Sequence, residues 1–450
     1  MLETSRNPNI NLLTYAKVTD LKGYVGNFEV EVTKMPRYVK PNCNGCGACV
    51  DVCPAWGANA FDWGMSPRKA IYIAFAQAVP AKAQIDMNRC IKCGNCENIC
   101  ELESINFDDH EEKVNLKVGT IIVATGWDEF KPEPGYLGYG VAKNVITQGQ
   151  LERALAPNGP SGGNLVRPSD GKHPHSVLFI QCVGSRDKKH NEWCSAGVCC
   201  MISVKNAKLI RQHLPDSHVA VAYIDMRCGG KMYDEYYTQA RESGVVFLKG
   251  KVADVRENPK NQGAIVLIEE ALSNEVIEQE FDLVVLSASM QAPNDADELN
   301  NVLRLERSSD GFFKEYHARL NPVDAKVPGI HFAGVSQGPK SIAETIMQAK
   351  GAASSASIIM QKGEYTIDLI RAVVDLARCS VCGLCEKVCP YSAITMNEKG
   401  ANVDEIRCRG CGTCCSVCPS AVISLRYYRD GQYQAYIDAL LEAEQVQPAK

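Results

Sequence analysis

Twenty-two cysteines in 450 residues set the chemistry open to this chain, and most of them recur at one spacing. Cys43, Cys46, Cys49 and Cys53 form a C-x2-C-x2-C-x3-C run, and Cys90, Cys93, Cys96 and Cys100 form a second. The pattern returns near the C-terminus with Cys379, Cys382, Cys385 and Cys389, then Cys408, Cys411, Cys414 and Cys418. Paired runs of this kind are the ligand pattern of two-cluster bacterial ferredoxins, in which the fourth cysteine of one run ligates the cluster of the other. Three thiolates on a tight loop reach three corners of one 4Fe-4S cubane, and glycines let the backbone turn close to the sulfides. The fourth cysteine is expected to begin a helix leading toward the partner cluster. The crossing rule assigns Cys43, Cys46, Cys49 and Cys100 to one cluster and Cys90, Cys93, Cys96 and Cys53 to a second. It assigns Cys379, Cys382, Cys385 and Cys418 to a third and Cys408, Cys411, Cys414 and Cys389 to a fourth. Zinc is the competing reading, but zinc ribbons use two separated pairs of thiolates and not a run of three plus one. Glu101 stands where Pro54, Pro390 and Pro419 follow the other runs.

A middle block differs. Cys182 closes the apolar run 176–182, and Cys194 with the vicinal Cys199 and Cys200 follows, without ferredoxin spacing. Buried structural thiols, a vicinal or C-x4-C redox disulfide, and a metal or cluster site all fit that spacing. With these four and the sixteen ferredoxin ligands set aside, only Cys228 and Cys415 are unassigned.

The elements that must position these groups read as α/β. With 48 basic against 53 acidic residues and a net charge of −5, the chain carries no strong field, so nucleic acid is not an expected partner. Segments 70–81 and 372–377 are the most apolar and are short or interrupted, so no membrane insertion is expected. Residues 1–11 are polar and lack the apolar core of a secretory leader. A chain large enough to build its own core does not need disulfide staples, and a reducing, cytoplasmic setting is expected. Between 120 and 362 short β-branched runs at 120–126, 177–183, 218–224 and 245–248 alternate with helical periodicity at 198–214 and 230–243. That alternation predicts a βαβαβ unit with a parallel sheet. The first βα turn of such a unit usually carries Gly-x-Gly-x-x-Gly; here it carries Cys182, Val183, Gly184, Ser185 and Arg186, which disfavours a nicotinamide site. A further strand, 329–334, leads through 335–338 into a small-residue helix at 342–360, a setting that suits phosphate or a flavin. No Ser-His-Asp set, His-Glu-x-x-His or P-loop lysine occurs, so hydrolytic chemistry is unsupported.

Together these residues resemble the A-type iron-sulfur flavoprotein family of heterodisulfide reductases and its bacterial relatives. The resemblance rests on Ala124, Thr125 and Gly126, on 181–186, on 194–201, on 332–334 with Gln337, Gly338 and Pro339, and on both ferredoxin units in order; it covers 9 to about 425. It implies an α/β, thioredoxin-reductase-like FAD domain, incomplete here, with one two-cluster ferredoxin domain (α+β) inserted and another at the C-terminus. The implied layout is a flavin-domain fragment at 1–38, the inserted domain at 39–110, the flavin domain with its central cysteines at 111–365, the second ferredoxin domain at 366–430 and a tail at 431–450. By the same resemblance Cys182, Cys194, Cys199 and Cys200 hold a fifth 4Fe-4S cluster, and Thr125, Gly126, Gly334, Gln337, Gly338 and Pro339 contact FAD. The interval from Cys194 to Cys199 is one residue longer than the family pattern. The family's N-terminal region, with its own cysteines and glycine-rich FAD fingerprint, does not occur in this sequence. A separate polypeptide or an upstream segment, cut off for instance at a UGA selenocysteine codon, is therefore expected to supply that half of the FAD site. The implied activity is that of an oxidoreductase whose flavin divides an electron pair between a disulfide acceptor and ferredoxin. The implied partners are heterodisulfide reductase B- and C-like subunits and a hydrogenase or formate dehydrogenase-type donor. Two alternatives stand beside it: a flavin-free electron-transfer module, and the A-type component of a quinone-interacting membrane-bound oxidoreductase.

Overall fold

The computed structural model describes residues 2–367 and 369–445; the last five residues of the expected 431–450 tail lie outside the described residues. Strands β1 (Ala16–Tyr24) and β2 (Asn27–Lys34) form an antiparallel hairpin whose alternation buries Phe28, Val30 and Val32. β3 (Glu112–Val118) pairs along the other edge of β2, from Phe28 opposite Val118 to Lys34 opposite Glu112. Everything between β2 and β3 is therefore looped out of this sheet. A bridge between Val39 and Ile105 and a 2.7 Å hydrogen bond from Lys40 N–H to the Ser104 carbonyl close the neck.

The chain continues through β4 (Ile121–Val123), β5 (Val145–Thr147) and α1 (Gln148–Leu155), then β6 (Ser176–Val183), α2 (Val198–His213), β7 (His218–Tyr223) and α3 (Tyr233–Glu242). β8 (Val246–Glu257), β9 (Ala264–Glu270), β10 (Glu275–Phe281), β11 (Leu283–Ala288), β12 (Ile330–Phe332) and α4 (Ile342–Lys362) follow. A seven-stranded sheet runs in the order β5-β11-β6-β7-β8-β9-β10. Its first five strands are mutually parallel, as the βαβαβ pattern predicts, and β8, β9 and β10 are antiparallel. The 245–248 run extends into the long β8 and opens an antiparallel meander that the sequence pattern did not reveal.

Both faces of the parallel strands are covered, which is why β6 and β11 are apolar almost without interruption. On one face Val204, Ala207 and Ile210, one helical turn apart along α2, pack on Phe179, Val221 and Val285. On the other, Leu178, Ile180, Val284 and Leu286 cluster with Val252, Val266, Ile268 and Phe281 from the meander. Each such fully buried aliphatic side chain contributes about 1.5–3 kcal/mol.

The 120–126 run does not join this sheet. Its strand is β4 alone, which pairs in parallel with β12, Ile121 opposite Ile330 and Val123 opposite Phe332. α4 starts at a capping box in which Ser341 and Glu344 exchange side-chain and backbone hydrogen bonds, and it stops at Gly363 in the left-handed region.

Candidate metal centre

Each ferredoxin-type run folds as a loop and a short helix: Ala48–Asp51, Asn95–Asn98, Leu384–Val388 and Thr413–Val417. Gly47, Gly94, Gly383 and Gly412 open these helices with φ of 87°, 78°, 74° and 81°, a left-handed turn that costs glycine nothing. The third cysteine of each run, Cys49, Cys96, Cys385 or Cys414, lies inside the helix. The fourth does not begin a helix, contrary to the sequence expectation: Cys53 and Cys100 fall just beyond the helix ends, and Cys389 and Cys418 are the extended C-caps. Proline after Cys53, Cys389 and Cys418 disfavours the helical conformation for the residue before it.

In the inserted unit the loops bring the thiols together in the crossed sense. Cys43, Cys46, Cys49 and Cys100 line one cavity of about 360 Å³, and Cys53, Cys90, Cys93 and Cys96 line another. In the C-terminal unit Cys385 feels Cys382 and Cys379, Cys414 feels Cys408 and Cys411, and Cys389 and Cys418 pack on the same core. Burial pushes the Cys49 and Cys96 thiols up to about 11 and Cys414 to about 12. A bound cation must supply the countercharge that makes these thiols ligands, and binding releases protons. Backbone N–H groups of Ser104 and Ala393 point at the sulfurs of Cys100 and Cys389, each at 3.3 Å and each from four residues beyond the fourth cysteine of a run. Such bonds to sulfur tune cluster potentials. Among the described residues no group of three or more His, Cys, Asp or Glu converges on a point for one metal ion.

The central cysteines come from three places: Cys182 near the end of β6, Cys194 in the following loop, and Cys199 and Cys200 in the first turn of α2. They are mutual electrostatic neighbours. A bulge between Ile180 and Val183, with Cys182 at φ 62°, breaks the alternation of β6. Strict alternation would put Cys182 on the face of Leu178 and Ile180, away from α2; a bulge re-aims it. Arg186 and Ala196 are also left-handed, at φ 55° and 50°, so backbone strain gathers around these thiols. Burial pushes Cys182 up to about 11. The hydrogen bond between the vicinal thiols pushes Cys199 up and brings Cys200 down to about 7. Cys228, unassigned from sequence, is a further electrostatic neighbour of Cys200. Buried donors are left without partners here: Gln181 Nε2 and Arg186 Nη1.

The residues expected to touch a flavin gather at the ends of β4 and β12. Thr125 and Gly126 follow β4, and Gly334, Gln337, Gly338 and Pro339 follow β12. Buried Ser336 ties the two strand ends by donating to the Val123 carbonyl at 3.0 Å, and Lys340 Nζ donates to the carbonyls of Gly334 and Gly338, both at 2.9 Å. Gln337 is engaged with Glu315 and Gln348. A cavity of about 790 Å³ lies between the first turns of α2 and α4; Trp127, Gly197, Met201, Lys205, Tyr233, Tyr236, Val335 and Lys340 are among its walls. Lys205 is paired with Glu152 at 2.6 Å. Of these walls, Trp127, Lys205, Tyr233, Tyr236 and Lys340 were not singled out from sequence, where they read as ordinary helix-face and loop residues.

The description "4Fe-4S dicluster domain" fits residues 42–104 and 378–422, the two regions whose thiols have just been placed. Over 99% of its length the chain is 52% identical to the A-type iron-sulfur subunit of CoB–CoM heterodisulfide reductase from Methanocaldococcus jannaschii, covering 69% of that protein. This chain belongs to the A-type iron-sulfur subunit family of heterodisulfide reductases. It is also 46% identical, over 98% of its length and 68% of the relative, to the A-type subunit of the H2/formate:CoB-CoM heterodisulfide,ferredoxin reductase from Methanococcus maripaludis. Among solved structures, thioredoxin reductase from T. acidophilum overlaps 56% of this chain and 68% of its own at a TM-score of 0.35 and 11% identity. As a member of this heterodisulfide reductase family the chain is an oxidoreductase component with iron-sulfur clusters in its two ferredoxin domains. No helix among the described residues is long and apolar enough to cross a membrane.

Proposed function

We propose that this protein moves electrons one at a time among an FAD and five 4Fe-4S clusters, dividing electron pairs between a disulfide acceptor and ferredoxin. The observation that carries the reading is the shared cavity: the helix that bears Cys199 and Cys200 and the turn that follows β12 face the same space of about 790 Å³. A flavin in that space would lie beside the central thiols. In this reading the domains run as expected from sequence, 1–38, 39–110, 111–365, 366–430 and 431–450, with the crossed ligand sets and with Cys182, Cys194, Cys199 and Cys200 on the fifth cluster.

Bound FAD would supply the chemistry, accepting a pair and releasing single electrons. The chain's own part is to hold, orient and shield. Trp127, Tyr233 and Tyr236 give aromatic walls that exclude water. Thr125 and Gly126 lead into Trp127, and Gly334, Gln337, Gly338 and Pro339 flank Val335 and Lys340, so these strand-end turns would border a flavin held in the cavity without themselves lining it. Lys205 sets a cation in the wall, and its pairing with Glu152 fixes where that charge stands. Burial pushes Lys340 down, and its carbonyl ligands hold its ammonium toward the β12 turn.

Relatives carry names that mention H2, formate, ferredoxin and the CoB–CoM heterodisulfide. For this chain we infer B- and C-like partner subunits, ferredoxin, a hydrogenase or formate dehydrogenase-type donor, and a polypeptide or segment that completes the FAD site. Anaerobic iron, sulfide and flavin quantitation on the native complex tests the proposal. About twenty irons for this chain with bound FAD, and photoreduction of two distinct acceptors, are expected. Iron and sulfide without flavin would make it a conductor between other subunits.

A further inference from the structure

The central cysteines sit at the carboxyl edge of the parallel strands, where α/β folds place their ligands. Two loops meet there. One follows β6 and carries Arg186; the other follows β7 and carries Asp225 and Arg227. Arg186 Nη2 binds Asp225 Oδ2 at 2.7 Å, which ties the loops together across the thiols. The Asp225 carbonyl lies 3.9 Å from Cys200 Sγ, and Gly197, just before the vicinal pair, packs so closely on the Arg227 carbonyl that a Cβ there would overlap it. The guanidinium of Arg186 acts on the Cys182 thiol, and Arg186 and Arg227 both act on Cys200.

Arg186 uses only one side of its fork on Asp225. Its Nη1 is buried with no partner, while the guanidinium also engages the Cys182 thiol. Gln181, beside Cys182 in the chain and 6% exposed, leaves both its amide nitrogen and its amide oxygen without partners, so an acceptor there would answer the nitrogen alone. Buried donors left unpaired are costly, so that of Arg186 beside Cys182 and Cys200, with that of Gln181 next to Cys182 in the chain, points to an acceptor that belongs there. Thiolate and sulfide of an iron-sulfur cluster are such acceptors. Arg186 also keeps a left-handed backbone, φ 55°, that a non-glycine residue holds only under constraint.

We propose that Arg186, anchored by Asp225 and seconded by Gln181, is the positioning residue that raises the reduction potential of the central cluster above that of a cluster held by thiolates alone. The proposal rests on the central cluster proposed above. When the cluster takes one electron it gains one negative charge; the guanidinium stays protonated throughout, so no proton moves and the cation stabilises the reduced form. Cluster potentials follow net charge and hydrogen bonds to sulfur. A raised potential makes the central cluster a favourable first stop for a single electron arriving from the neighbouring cavity.

The test is an EPR-monitored redox titration of the purified complex with iron counted on the same samples. Arg186→Gln, which removes the charge, is expected to keep wild-type iron and to lower the midpoint of the central signal; Arg186→Lys, which restores the charge, is expected to return most of that shift. Gln181→Met, which removes only a neutral donor, is expected to shift it less. Midpoints equal to wild type in both arginine variants at full iron overturn the proposal. So does loss of the central iron from both Arg186→Gln and Arg186→Lys, because the arginine then serves loop structure and not potential. Loss from Arg186→Gln alone, with Arg186→Lys loaded, also overturns it, because the charge then serves to hold the cluster and not to set its potential. Wild-type protein with only about sixteen irons removes the central cluster itself, and the failure is then of the earlier reading.

Discussion

Replacing Arg153 by alanine tests whether the inserted ferredoxin unit is locked against α1. From α1, Arg153 reaches Asp62 of the inserted unit with Nη2 at 2.9 Å and Nε at 3.0 Å, and its guanidinium lies 4.4 Å from the centroid of Phe61. Both side chains of the ion pair are largely buried, 14% and 10% exposed. Removing one member of a buried pair costs about 3–5 kcal/mol when the other charge is stranded. Asp62 is not fully stranded, because Ser66 Oγ and Asn59 Nδ2 also donate to it at 2.5 and 2.9 Å. The lower end therefore applies, about 3 kcal/mol, of which the lost ring contact is roughly 1. At tenfold per 1.4 kcal/mol, that raises the local opening equilibrium by roughly 100-fold. Anaerobic amide exchange reads it directly, at the Asn59 and Ala70 N–H groups bonded to the Ser66 and Ala55 carbonyls at 2.9 Å each. Arg153→Lys, which keeps charge but loses the fork, is expected to fall between. Exchange in Arg153→Ala within about threefold of wild type would refute the reasoning: the unit would then be held by its neck at Val39 and Ile105 and by Trp63 against Gly149 and Gln150, and not by this pair.

Three further outcomes are expected. Cys53→Ala and Cys90→Ala act on one cluster, so each removes about four irons and the double variant no more, whereas Cys53→Ala with Cys43→Ala removes about eight; iron analysis with EPR decides, and additive loss for Cys53 and Cys90 would contradict the crossing. Gly184→Ala drives a Cβ into the Phe130 ring at φ 72°, so it is expected to displace the β6 turn and lower iron at the central site, with ferredoxin-domain EPR signals intact; full central iron would count against the strained turn as a positioning device. The hydrogen bond from His331 on β12 holds the Asp324 carboxyl below its usual range. Its contribution is therefore present above the unfolded value of about 3.9 and lost as pH falls through the folded value. Amide protection of β12 in Asp324→Asn should lie below wild type at neutral pH and converge with it in acid; a difference that grows in acid would show the sign to be wrong.

The ferredoxin runs were legible because their chemistry is local: spacing of two and three residues, with glycine before the third cysteine, already fixes the loop. What spacing did not reveal was the conformation of the fourth cysteine, which a following proline keeps out of the helix in three of the four runs. The central site was legible only as four leftover thiols, because a bulge in β6 turns Cys182 toward α2, and nothing in an apolar run announces a bulge. The parallel sheet could be read from its continuous apolar strands, while the meander could not. The outer part of β8, from Lys249 to Glu257, has one face in solvent, so its sequence is polar and its period faint. Lys205 and Tyr236 stand on helix faces that look solvated until the cavity between α2 and α4 is seen.

If an electron pair is divided as proposed above, the way the two ferredoxin units are fastened bears on how. The inserted unit is held by its neck and by Arg153 on α1. The appended unit is held elsewhere: Arg407 Nη2 donates to the Gly23 carbonyl in the β1–β2 hairpin at 2.5 Å, Lys326 Nζ lies 4.6 Å from the Tyr391 ring centroid, and the Arg409 guanidinium lies 5.6 Å from that of Tyr316. No residue of the Arg153 contact recurs in the second set. Couplings between sites that share no partners add independently, so each unit can be positioned, and each branch tuned, without disturbing the other. A single shared anchor would have tied the geometry of one unit to that of the other, whereas the central thiols are held by neither anchor: they stand on β6, on the loop that carries Cys194 and on α2, beside Arg186 and Arg227.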